Sequence, residues 1–236
     1  MTELLARTAA TGEDKPVRTK FSSELAALTD ELARLSALAH EATERVAVAV
    51  AEANLTAAYE VLAIDEQLQA LHGGCENRAV ILLALEAPVA RDLRHVVTAM
   101  QIADDLSRMS WLTSRIADSV VHRYPEPVAP PDILRLLGAI GDIVTDLAAT
   151  AGRAITDTDL SADRGSEDSH ARLTTLQQRV LHAISAAEWQ HGSAMAVDLA
   201  LVAHHYERCA EHCVRIERLI HFFHTGIPLS AQVDQN

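Results

Sequence analysis

The chain has 236 residues, of which 49% are hydrophobic but only 3% aromatic, with nine glycines and seven prolines. So few chain-breaking residues exclude a protein of many short strands and tight turns, and a core of Ala, Leu, Val and Ile suits closely spaced helices. A formal net charge of −13, with twelve histidines counted as neutral, repels phosphate backbones and anionic lipid, so neither nucleic-acid binding nor membrane docking is expected.

Residues 1–20 are polar and without periodicity, which reads as a flexible N-terminal tail. They lack the apolar stretch of a signal peptide. The longest apolar run, Ala79 to Leu85, is far short of the ~20 residues that span a bilayer. A cytoplasmic protein with no membrane insertion is the expectation. From Phe21 the pattern changes: Phe21, Leu25, Leu28, Leu32, Leu35, Leu38, Ala42, Val46 and Ala49 recur at three- and four-residue steps and draw one apolar stripe along a first helix. Asn54 ends it. A second helix is expected from Leu55 to Glu86, with Gly73-Gly74 as its weak point. Pro88 closes that segment, and a third helix runs from Val89 to His122.

Residues 125–131 hold four of the seven prolines and cannot continue a helix. They form a linker between a first three-helix bundle, residues 21–124, and a second, residues 132–228. The second half reads as helices over Asp132–Thr156, Asp168–Gln190 and Ser193–His224, with a polar turn at 157–167. Gly226 and Pro228 are the stop, and 229–236 is a C-terminal tail. Helices three and six resemble each other at an offset of one hundred residues: Ala103 and Ala203, Arg108 and Arg208, Arg115 and Arg215, Ile116 and Ile216. Duplication of a three-helix unit explains this together with the matching helix counts. The expected fold class is therefore all-α, a tandem pair of antiparallel three-helix bundles built from six long helices.

Three cysteines, Cys75, Cys209 and Cys213, cannot make a disulfide framework and contain no CxxC pair, so they read as small core residues. No P-loop, GxGxxG, Gly-x-Ser-x-Gly or HExxH motif is present, and no enzyme is expected. Two Glu-x-x-His pairs, Glu167/His170 and Glu188/His191, would suit a di-metal bundle. They fall at opposite ends of the fifth predicted helix, ~30 Å apart by helix rise, and cannot converge.

The segment Leu83-Ala84-Leu85-Glu86-Ala87-Pro88-Val89-Ala90-Arg91-Asp92-Leu93-Arg94 closely resembles the junction between helices two and three of PhoU proteins. Tyr206-Glu207-Arg208-Cys209-Ala210-Glu211-His212 resembles that family's second signature, and Glu188-Trp189-Gln190-His191-Gly192 resembles its actinobacterial branch. The resemblance covers roughly Phe21 to Pro228. It implies a homodimerising cytoplasmic accessory of the phosphate ABC transporter ATPase and of a sensor histidine kinase, keeping phosphate-starvation genes off when phosphate is plentiful. Alternative readings are a metal-binding or metal-buffering bundle, or a divergent paralogue serving another kinase.

The resemblance also implies an acid-x-x-x-acid motif in each half, metal-bearing in some members. Carboxylates four apart on a helix stand ~6 Å apart, so two can share a divalent or iron-type cation. The second half keeps the pair as Glu207 and Glu211, with His204 a possible additional ligand. The first half has Ser107 and Trp111 instead, so one metal site at most is expected, in the C-terminal half. Arg208 and Arg215 compete for the same acids, with Glu211–Arg215 in the favourable order. Trp111 is a candidate aromatic anchor for a partner, although burial against a neighbouring helix is the expected fate of so large a side chain. Arg91, Asp92 and Arg94 are read as helix-end capping with an Arg–Asp pair that fixes the turn before the third helix, the alternative being a partner or phosphate contact.

Overall fold

The computed structural model describes residues 14–156 and 165–232. They form α1 (Asp14–Glu52), α2 (Leu55–Glu86), α3 (Ala90–Arg123), α4 (Pro131–Thr156), α5 (Gly165–Ser185), α6 (Gly192–Thr225) and a short α7 (Leu229–Gln232). The chain is all-α, a tandem pair of three-helix bundles. Helix α1 starts at Asp14, inside the segment read as a tail, and residues 1–13 lie outside the described part. Of the turn read at 157–167, residues 157–164 lie outside it, as do 233–236, and 165–167 belong to α5.

Local chemistry sets the helix ends. The side chain of Asn54 accepts a hydrogen bond from the Ala57 amide at 3.1 Å, so it caps α2 at the point where the stripe of α1 stops. Helix α2 passes unbroken through Gly73 and Gly74. Gly226 adopts φ 76° and its N–H bonds the Phe222 carbonyl at 2.8 Å, the left-handed stop that glycine takes without steric cost. The fifth helix is shorter than the periodicity suggests. It ends at Ser185, and Trp189 then turns the chain by donating from its backbone N–H to Ala186 and from its indole to the Gly192 carbonyl.

Helices α1, α3, α6 and α4 form the four sides of a square, each packed on its two neighbours; α2 covers the α1/α3 edge and α5 the α4/α6 edge. A single core runs through both bundles, from Leu28 and Leu35 to Leu137, Ile140, Ile216 and Leu219. Each such aliphatic side chain gains roughly 1.5–3 kcal/mol on burial. Small residues let the bundles approach. A Cβ on Gly152 would come within 2.7 Å of the Ser36 hydroxyl, and one on Gly141 within 3.4 Å of Ala47, so α1 and α4 run antiparallel in close contact. Helices α3 and α6 are also antiparallel: Asp105 meets His212, Met109 meets Cys209 and Cys213, and Trp111 meets His205. All three cysteines are free and buried, and burial drives their thiols up, Cys75 to about 11, which leaves them as inert packing.

Candidate functional site

Helices α3 and α6 carry the residues singled out by sequence, and their crossing assembles a different site from the expected one. Glu207 receives a hydrogen bond from the Gln177 amide of α5 at 2.6 Å, with His204 Nδ1 at 3.7 Å from the same carboxylate. Glu211 is held instead by Arg208, one turn back on the same helix. The two carboxylates are thus turned to separate partners. Among the described residues, no three His, Cys, Asp or Glu side chains are grouped to hold a metal ion. In this arrangement Gln177 bonds the Glu207 carboxylate and Arg208 that of Glu211, the oxygens a cation would need. The Glu-x-x-His pairs fail as well: Glu167 pairs with Arg218 on α6, and Glu188 lies beyond the end of α5.

The polar group that does form is inter-bundle. Asp105 of α3 is fully buried, and both its oxygens accept from Arg215 Nη1 at 2.6 Å. Its Oδ1 also lies 2.8 Å from His212 Nδ1. Arg215 therefore pairs with Asp105 across the bundle junction, not with Glu211 along its own helix. A buried carboxylate needs such compensation, since a lone one would lose several kcal/mol of hydration. The sequence offered one clue, His212 closing the second signature. Asp105 sits 107 residues away, and no local spacing could connect them.

The first-half positions are occupied by neutral chemistry. The Ser107 hydroxyl donates to Gln69 Oε1 at 2.9 Å, and the Gln69 amide returns a bond to the Ser107 carbonyl at 3.3 Å. Trp111 is 51% exposed, against the expectation of burial. The Arg115 guanidinium lies 5.6 Å from its ring centroid, and His205 meets it edge-on at 6.2 Å. Burial, then His204 and Arg115, hold the His205 imidazole below its ordinary value. Trp111 and His205 so form an aromatic face, propped by an arginine stem.

A second surface centres on the junction of α2 and α3. Val80, Ile81, Leu85, Val89, Leu93 and Val97 are all exposed there, Leu85 at 76% and Val89 at 74%. Ile81 and Leu85 are one turn apart on α2, as are Leu93 and Val97 on α3, so the apolar strip continues around the turn. The turn itself is strained: Ala87 has φ 43° and Ala90 φ 49°, left-handed conformations that cost a residue with a Cβ about 1 kcal/mol each. Arg91 stacks over Phe223 of α6 at 5.8 Å and forms no ion pair with Asp92 among the described residues.

No helix among the described residues is long and apolar enough to cross a membrane. A family model described as the PhoU domain matches residues 32–120, which span most of α1 to α3. The chain is 31% identical over 210 residues to the phosphate-specific transport system accessory protein PhoU homolog 2 of Mycobacterium tuberculosis, covering 89% of this chain and 99% of that protein. It is equally similar, at 31%, to PhoU homolog 1 of Mycobacterium leprae, of which it covers 95%. Among solved structures, PhoU from Pseudomonas aeruginosa superposes with a TM-score of 0.79 at 19% identity, over 88% of this chain and all of that one. The phosphate transport system regulatory protein PhoU from Streptococcus pneumoniae gives 0.75 at 21%, over 88% and 98%. These last two likenesses establish the fold.

Proposed function

The chain belongs to the PhoU family, and from that membership we propose that it regulates phosphate uptake and phosphate-starvation signalling as a cytoplasmic adaptor between a phosphate ABC transporter ATPase and a sensor histidine kinase. The relatives whose full length it spans are phosphate-specific transport accessory proteins. The observation that carries the mechanism is the exposed strip Ile81, Leu85, Val89, Leu93 and Val97 at the α2–α3 turn. An adaptor needs an apolar anchor within a polar rim and no reacting group. Side chains as exposed as Leu85 and Val89 are displaced from water only by a partner, and contiguous apolar surface of this kind marks interaction sites. The strain at Ala87 and Ala90 holds the strip at the tip, where a partner can reach it.

A second reading rests on Trp111. With Ser107 and Trp111 standing in place of an acid pair, and Trp111 exposed, the α3–α6 face is suited to a partner unlike that of acid-pair relatives. The chain would then be an adaptor for another kinase.

The test is affinity capture of the tagged full-length protein from phosphate-replete and phosphate-starved cells. Wild-type protein should recover the transporter ATPase and a sensor kinase, and Leu85→Asp combined with Val89→Asp should lose them while keeping its helical circular dichroism. A kinase outside the phosphate system would favour the second reading. Recovery of neither partner in both conditions would overturn the adaptor role.

A further inference from the structure

Where α3 begins and α6 ends, a cleft of about 420 Å3 opens between the bundles and takes its walls from α1, α3, α4 and α6. Its size falls within the range of ~300–1,000 Å3 usual for small-molecule sites. One side joins the fixed charge of an arginine to two imidazoles. Arg91, His95 and His224 line it around the Phe223 ring, which lies 4.9 Å from the His95 ring, 4.7 Å from that of His224 and 5.8 Å from the Arg91 guanidinium carbon. The other side is apolar, with Leu32, Ile102 and Ile220.

Three observations point to an anion. First, Arg91 has no carboxylate partner among the described residues, in a chain whose net charge is −13. Among the described residues the only carboxylate lining the cleft is Asp92, in the first turn of α3, where the positive end of the helix favours it. Second, Thr98 lines the cleft at 3% exposure with its Oγ1 buried and without a hydrogen-bond partner. A hydroxyl so placed loses roughly 1–3 kcal/mol unless something reaches it. Third, the Thr29 hydroxyl donates to the Leu25 carbonyl at 3.2 Å and lies 3.1 Å from His95 Nε2. Its remaining lone pair accepts from Nε2–H, so Nδ1 is the nitrogen left to take up a proton and donate it to an anion. A metal is disfavoured at the same place, because the fixed charge of Arg91 repels it.

The set is also peculiar to this end of the molecule. At the offset of one hundred residues, His95 corresponds to Met195 and Thr98 to Asp198, so the duplication did not produce it as a packing requirement.

We propose that this cleft binds a small organic phosphate, with the phosphoryl group on Arg91, His95 and His224 and the apolar part against Leu32, Ile102 and Ile220. Inorganic phosphate alone would fill only a fraction of the volume and leave the apolar wall uncovered. Because the walls come from both bundles, an occupant bridges them and stabilises their junction.

The experiment is titration calorimetry of the full chain at low salt with adenosine 5′-monophosphate, inorganic phosphate and adenosine as probes. The monophosphate should bind saturably, more tightly than either of the others. Arg91→Ala should weaken it about tenfold or more, as the loss of a charge-assisted contact does. Arg135→Ala, an exposed arginine in a groove on α4, should leave it unchanged. No saturable binding of the monophosphate at millimolar concentration would overturn the proposal. So would binding that neither Arg91→Ala nor His224→Ala alters in proteins of wild-type circular dichroism, or inorganic phosphate binding as tightly as the monophosphate.

Discussion

Asp105 is fully buried, Arg215 has 43% of its side chain exposed, and His212 lies between those limits. That asymmetry decides what each substitution does. Removing the arginine strands a carboxylate with one imidazole for company, whereas removing the carboxylate frees an arginine whose outer end already reaches water. Arg215→Ala is therefore expected to cost about 3 kcal/mol or more, and Asp105→Asn, which keeps the shape and removes the charge, about 1 kcal/mol. Urea unfolding monitored by circular dichroism measures both. Equal costs would mean that packing at the junction, and not the ion pair, holds these positions. Tyr206, one helical turn and a half before His212, is buried with its hydroxyl unpartnered, and burial raises its pKa. That hydroxyl lies beside Gly141, 3.5 Å from where a Cβ would stand, with the ring carbon Cζ at 3.8 Å.

At the scale of elements, the two bundles are joined by two antiparallel helix pairs of different chemistry. The α3–α6 pair carries the buried Asp105 group and the Met109–Cys209 contacts. The α1–α4 pair relies on small residues: Gly152 faces Ser36, and Gly141 faces Ala47. Gly152→Val would place branched carbon where the Ser36 hydroxyl already stands, pushing α4 from α1. Such overpacking costs about 1–3 kcal/mol. The expected result is a lowered urea midpoint for Gly152→Val, with much of the loss restored by adding Ser36→Gly. The same pair of midpoints would refute close packing here if Gly152→Val were neutral. On the outer side, Arg78 of α2 bonds both Glu24 and Glu31 of α1, and these carboxylates raise its pKa. This pairing and the Asn54 cap fix α2 against α1 while its far end presents the exposed strip.

For the whole molecule, three histidines give stability a definite pH dependence. Burial, the largest influence in each case, lowers the imidazoles of His95, His205 and His224 below their ordinary 6.5. Each then binds fewer protons folded than unfolded between its native value and 6.5. Unfolding takes up protons in that window, so stability is full above about pH 6.5 and falls as pH drops through it. The melting temperature should be lower at about pH 5.5 than at about pH 7.5, and His95→Gln should flatten that slope. A slope unchanged by His95→Gln would show that this imidazole is not the group titrating. The groups acting on His95 besides burial are Asp92 and Arg91 on its own helix and His224 across the cleft. An organic phosphate seated there would favour the protonated imidazoles and so reduce the acid loss.

How much could be read in advance differs by the range of the interaction. The periodic stripe from Phe21 to Ala49, Asn54 as a boundary, the proline segment at 125–131 and the stop at Gly226 are local signals, each decided by a few neighbouring residues, and they specify the helices. The duplicated register of α3 and α6 pointed to a repeated three-helix unit, and the signature segments to the family. The polar chemistry of the junction was not legible, because a helix shows which residues share its face but not what stands opposite. Glu207 and Glu211 share a face as the spacing requires, yet Gln177 from α5 and Arg208 take them separately. Asp105 gains meaning only when an antiparallel crossing brings Arg215 to it. Likewise, nothing in the local sequence marks Leu85 and Val89 as exposed; the packing of α2 and α3 leaves them in water. Sequence alone determined the elements through short-range backbone and burial preferences. The tertiary structure decided which charges meet, which cleft opens and which apolar surface stays uncovered, since those depend on distances between residues far apart in the chain.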